Sequence, residues 1–250
     1  MANPRIGARL VIYGDRWQRD LPAVLREVAR AGYDGVEVGA LREHYTAETV
    51  RQCLSETGLS LAGTRAECAD LRDPAKLSAH LDFVTALGGS YLTCAGVGSV
   101  EGIHTYERAA ETLNAAGREC RHRGVILCYA NQDRDFDPLE GDRGIHRLAE
   151  RIHPREAKLC VDIYGIHAGG EDPAAFIARY ADRIAYYHVR DGNEGGVTEL
   201  GRGKVDLPRA IEAARRTNPD WLVCAQERTE KTPEESLVQS RQYLRDQLGL

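Results

Sequence analysis

The chain has 250 residues, 42% of them apolar and 28% charged, with a formal charge of −5. This is the composition of a core-forming domain, and its acids and bases are interspersed, so neither a basic nucleic-acid stripe nor a single-sign docking tail is expected. No run reaches the ~18 consecutive apolar residues of a membrane helix, and Met1-Ala2-Asn3-Pro4-Arg5 opens no apolar leader; a cytoplasmic protein without a membrane partner is the expectation.

Short β-branched or apolar runs recur at 6–12, 35–38, 60–65, 91–95, 125–130, 158–163, 184–189 and 221–226. Helical spacing fills 20–31, 46–57, 74–87, 104–122, 141–151, 172–181, 206–216 and 232–247. In the first of these Leu21, Val24, Leu25, Val28 and Ala29 share one face. Asp73-Pro74, Asp172-Pro173 and Thr232-Pro233 read as an N-cap followed by proline at the first helical position. Gly32, Gly58, Gly88 and Gly124 sit where a helix closes before the next strand. Eight strand-then-helix units require parallel strands with helical crossovers. A single (β/α)8 TIM barrel over 1–250 is therefore expected. A doubly wound open sheet is the rival, but no G-x-G-x-x-G follows the first strand. Gly195-Gly196 and Gly201-x-Gly203 lack the Lys-Ser/Thr of a P-loop, so no nucleotide cofactor is expected.

In a barrel, chemistry belongs to the C-terminal ends of the strands. Glu37 ends the second strand, where it can pair with a base such as Arg65. Arg65 ends the third strand as a candidate anion partner. Tyr13 and Trp17 follow the first strand and offer an apolar wall for substrate, although Trp17 equally suits helix packing. Asp162 ends an apolar strand, where a carboxylate is costly unless used, or caps the next turn. His188 ends the seventh strand. Arg190, two residues on, faces the same way, to meet a substrate anion or hold Glu199 or Glu227. His167 lies in a mouth-side loop, and Tyr186 fills the interior. Asp133, Asp135 and Asp137 lack the glycine and distal Glu of a calcium loop. The seven cysteines show no CxxC spacing, and Cys94, Cys128, Cys160 and Cys224 lie in apolar runs. Buried reduced thiols are expected rather than a zinc cluster or disulfides.

Three stretches carry a resemblance: Cys160-Val161-Asp162-Ile163-Tyr164, Tyr187-His188-Val189-Arg190-Asp191, and Glu199-Leu200-Gly201-Arg202-Gly203-Lys204-Val205-Asp206. Together with Gly35-Val36-Glu37-Val38-Gly39 they resemble the xylose-isomerase-like TIM-barrel family of sugar phosphate isomerases and epimerases. The resemblance implies a divalent metal held by two Glu, one Asp and one His, with Asp162 and His188 at the last two positions. Both glutamates are missing: Ala130 and Ala225 stand in their places. Gln132 and Glu227, two residues on, share their faces about 6–7 Å nearer the mouth. A displaced site of Asp162, His188, Glu227 and Gln132 for Mn²⁺, Mg²⁺, Co²⁺ or Zn²⁺ is the expectation.

The implied activity is proton transfer next to a carbonyl of a sugar-like or keto-acid small molecule, of the isomerase or epimerase type. Glu37, His188, Glu227 and His167 are its candidate acids and bases, and Arg65, Arg190, Gln132, Trp17 and Glu199 its substrate contacts. A metal-independent lyase, dehydratase or cyclase, or a silent ligand-binding barrel, is the alternative. The relatives' habit adds a homo-oligomer as an option.

Overall fold

A computed structural model describes residues 3–250. Eight parallel strands close a barrel: β1 (Arg5–Arg9), β2 (Gly35–Gly39), β3 (Ser60–Arg65), β4 (Tyr91–Ala95), β5 (Ile126–Ala130), β6 (Ala157–Asp162), β7 (Ile184–Val189) and β8 (Trp221–Cys224). Closure is the β1–β8 pairing, Arg5 opposite Trp221 through Ala8 opposite Cys224. The expected helices follow as an outer ring, and Asp73, Asp172 and Thr232 cap theirs by accepting backbone N–H bonds. Among the described residues no helix is long and apolar enough to cross a membrane. All seven cysteines are unpaired, and only Cys68 is not fully buried.

Two strands are shorter than the sequence pattern. β1 stops at Arg9, and Leu10–Tyr13 forms a 3-10 turn. Its ladder to β2 ends at Arg9 opposite Glu37 and its ladder to β8 at Ala8. Beyond those pairs the backbone has no partner strand, and Leu10 and Ile12 bury their side chains from a turn instead. β8 likewise stops at Cys224.

The barrel interior is filled by Tyr91, Tyr186, Trp221, Val223, Cys128 and Cys160. Two glycines make room for these side chains. A Cβ on Gly35 would lie 2.3 Å from the Ser60 carbonyl oxygen and 2.6 Å from the Trp221 ring; one on Gly63 would lie 3.3 Å from the Tyr186 hydroxyl. Large groups thus seal the floor, and the residues beyond them on each strand form the mouth.

Candidate active site

Side chains two residues apart share a strand face, so each interior filler predicts a mouth residue. Gly7 leads to Arg9, Gly35 to Glu37, Gly63 to Arg65, Cys160 to Asp162, and Tyr186 to His188. All five mouth residues line one cavity of about 850 Å³, together with Thr93, Ala95, Ala130, Gln132, Arg190, Glu199 and Glu227. Ala95, Ala130 and Thr93 are short, and they leave the β4–β5 side of the mouth open. The charged groups crowd the opposite side.

Glu37 is the centre of that crowd. It is buried, and His188 Nε2 lies 2.8 Å from its Oε2 and 3.0 Å from its Oε1. Tyr186 donates its hydroxyl to Oε2 at 2.7 Å, so Thr93, 2.6 Å from the same hydroxyl, must donate to Tyr186. Arg9 Nε stands 3.4 Å from Oε1. Burial alone pushes the Glu37 carboxyl pKa up. The His188, Arg9 and Tyr186 contacts outweigh it and bring the value down to about 2. An ionised carboxylate only accepts, so the His188 proton facing it is on Nε2, and Nδ1 is the nitrogen left to exchange a proton. Burial holds the Tyr186 hydroxyl well above its ordinary pKa, so it remains a donor.

Two guanidinium groups span the remaining acids. Arg190 places Nη2 2.7 Å from Asp162 Oδ2 and Nη1 3.4 Å from Glu227 Oε1. Arg9 reaches Glu227 with Nη1 at 3.8 Å. Asp162 also accepts the Gly165 N–H with Oδ1 at 3.0 Å, capping the helix Ile163–Ala168. Asn131 clamps the Asp162 backbone from the end of β5, donating to its carbonyl and accepting its N–H. Arg65 differs: it lines the same cavity, yet among the described residues it has no carboxylate within ion-pair distance. Gly39 lies beside it, leaving space over the end of β2 for the Arg65 stem.

Several expected residues are placed otherwise. Trp17 is buried edge-on to His44, with its carbonyl accepting from the Tyr45 hydroxyl, and is not on the cavity wall. Ending β1 at Arg9 turns the next stretch of chain outward onto the helix layer. His167 sits on the helix Ile163–Ala168 and also misses the wall, because what reads as a loop is helical and carries it past the mouth. Glu199 does line the cavity, but its carboxylate accepts from Thr229 (3.0 Å) and Ser236 (3.1 Å), tying down the loop after β8. Glu37 pairs with Arg9 and not with Arg65. Arg9 and Thr93 escape the sequence pattern. Alternation from Gly7 along β1 finds Arg9 only once the strand is ended there.

The expected metal set is not gathered. Among the described residues, one trio of His, Cys, Asp or Glu has its ligand atoms within 4.8 Å of one another: Glu37, Cys160 and His188. Its donors do not suit a divalent ion. His188 Nε2 lies 2.8 Å from Glu37 Oε2, and Cys160 is packed among the apolar groups of the barrel interior, off the cavity wall, so the three donors share no open position in the mouth. Asp162 and Glu227 are neutralised by arginines, and Ala130 offers no donor.

The family model described as xylose isomerase-like TIM barrel matches residues 25–247. An inosose dehydratase of Lacticaseibacillus casei is 24% identical over 260 residues, covering 87% of this chain and 86% of its own. The crystal structure of a sugar phosphate isomerase/epimerase from Parabacteroides distasonis superposes with a TM-score of 0.87 at 18% identity, covering 98% of this chain and 94% of that one. The IOLI protein, whose crystal structure holds a zinc atom, superposes at 0.77 with 14% identity, covering 97% of each chain.

Proposed function

The chain belongs to the xylose isomerase-like TIM barrel family, and from that premise we propose an isomerase- or epimerase-type enzyme that moves a proton at the carbon next to a carbonyl. Its substrate is a small polyhydroxylated or keto-acid molecule with an anionic end. The observation that carries this reading is the Glu37–His188 contact of 2.8 Å, buried at the base of a cavity that also presents Arg65. The ionised Glu37 orients His188 and stabilises the imidazolium formed when Nδ1 takes a proton. Arg65, without a carboxylate of its own, receives the anionic end. Glu227, 45% exposed and held by Arg9 and Arg190, serves as the second acid or base, on the solvent side. A proton taken on one face and returned on the other epimerises; returned to the former carbonyl carbon, while the adjacent hydroxyl proton passes to the former carbonyl oxygen, it isomerises.

Loss of water from the same carbanion is the second reading. It is supported by the relative named inosose dehydratase, a name that implies elimination from a cyclic polyhydroxy ketone. Both outcomes share the first step, so one experiment tests both. The protein is incubated in D₂O with inososes, ketoses and keto acids, and deuterium uptake next to the carbonyl is followed by proton NMR. Uptake lost in Glu37→Gln and in His188→Ala is the expected result. A panel that exchanges no faster with the protein than without it would argue for a ligand-binding barrel instead.

A further inference from the structure

We propose that in this protein the guanidinium groups of Arg9 and Arg190 take the place of a divalent cation, and that a ketone oxygen is polarised by their N–H groups. Glu37, Asp162 and Glu227 converge on the mouth from β2, from β6 and from beyond β8, and three carboxylates brought together need positive charge among them. Arg190 bridges Asp162 and Glu227, and Arg9 bridges Glu37 and Glu227, at distances between 2.7 and 3.8 Å. With His188 on Glu37, each acid therefore has a cation or imidazole against it before any ion arrives.

The same geometry removes the ligands. An ion entering between Asp162 and Glu227 would have to displace Arg190, whose side chain is 13% exposed, and would leave that guanidinium buried beside a second cation. Repulsion and lost hydrogen bonds both oppose it. The strand ends that could add carboxylates carry Ala130 and Ala225, the first facing the cavity with no donor atom. Each guanidinium has five N–H donors, and the carboxylates use only some of them. Arg9 and Arg190 both line the cavity, so unused N–H groups can meet an oxygen on which negative charge develops, fixed in place before the reaction. A guanidinium stays charged across the working pH range, as a metal does, and needs no loading.

The catalytic half of this inference rests on the proton-transfer reading; the ion half does not, and it is tested separately. Chelator-treated protein is titrated with Mn²⁺, Co²⁺ and Zn²⁺ in turn, by calorimetry and by thermal melting. The unmodified protein is expected to bind no stoichiometric ion and to melt at an unchanged temperature. Arg9→Gln/Arg190→Gln, which uncovers Glu37, Asp162 and Glu227, is expected to gain a saturable ion. At about 100 times the dissociation constant that ion would raise the melting midpoint by roughly 5–10 °C. One ion bound per unmodified chain overturns the proposal whether or not the variant folds; a folded variant that gains no ion overturns it too. Deuterium exchange by the unmodified protein should be untouched by chelator, and exchange abolished by chelator and restored by one of these ions also overturns it. An absence of exchange with every compound counts against the proton-transfer reading alone, and the titrations still decide on the ion.

Discussion

Glu37 and His188, 151 residues apart in the chain, meet across the barrel with Nε2 2.8 Å from Oε2, and neither is more than 3% exposed. β2 and β7 are not neighbours in the sheet. The contact therefore crosses the interior, above the Tyr186 ring, and it exists only because the barrel closes. The arrangement is a buried acid–imidazole pair with a tyrosine and a threonine behind it.

The Glu37 carboxyl titrates at about 2 in the folded chain against an ordinary 4.5, so its contribution to stability is complete above pH 4.5 and is lost as pH falls through 2. Glu37→Gln should remove that dependence. Chemical denaturation at pH 6 and at pH 2.5 is expected to show unmodified protein losing up to about 3 kcal/mol more than the variant. Equal losses would mean that the pair does not hold the carboxyl ionised. Turnover in Glu37→Gln should fall by ~10²–10⁴-fold, the ordinary worth of acid–base assistance.

Arg65 has no carboxylate to leave behind, so Arg65→Ala should fold and melt like the unmodified protein. KM for an anionic substrate should rise by ~10–100-fold with kcat little changed, as expected when a charge-assisted hydrogen bond serves ground state and transition state alike. Steady-state kinetics on any substrate found in the exchange assay tests this. A loss confined to kcat would move Arg65 from anchoring to chemistry.

Arg190→Ala should destabilise the fold by about 3 kcal/mol, because it leaves Asp162 buried without its cation. Adding Asp162→Ala should return part of the loss. A double-mutant cycle in denaturant measures it, and strict additivity of the two changes would show that the pair is not coupled.

Asp191, buried just past β7, accepts backbone N–H bonds from Gly192 (2.9 Å), Gly201 (2.9 Å), Gly203 (2.9 Å) and Val205 (3.2 Å). It folds the Glu199 loop around one carboxylate. Asp191→Ala should unpair these donors and release the loop, raising amide hydrogen exchange over 199–206 by orders of magnitude before β7 itself exchanges. Unchanged protection there would show that the loop is held by other contacts.

His167→Ala is expected to keep turnover within about twofold, the range of substitutions that touch no buried partner. A loss of a hundredfold would place His167 against the substrate despite its position on the helix Ile163–Ala168.

The alternation of strand and helix, the caps at Asp73, Asp172 and Thr232, and the mouth positions of Glu37, Asp162, His188 and Arg190 are legible along the chain. These depend on local rules: side-chain period, proline after an N-cap, and the parity of a strand. The absence of carboxylates at Ala130 and Ala225 is equally plain. Where β1 ends is not, because a strand stops where its neighbours stop pairing, and those neighbours lie at 35–39 and 221–224. The places of Trp17 and Arg9 are hidden from the sequence for that reason, and that of His167 because the six-residue helix Ile163–Ala168 is too short for its period to show. Which cation meets which acid also depends on the closed barrel. Glu37 suits Arg65, the next strand-end base along the chain, yet it meets Arg9 and His188. Arg9 reaches Glu37 because the parallel ladder sets β1 beside β2, with the two residues opposite each other, whereas the His188 contact lies across the ring and needs β8 closed onto β1.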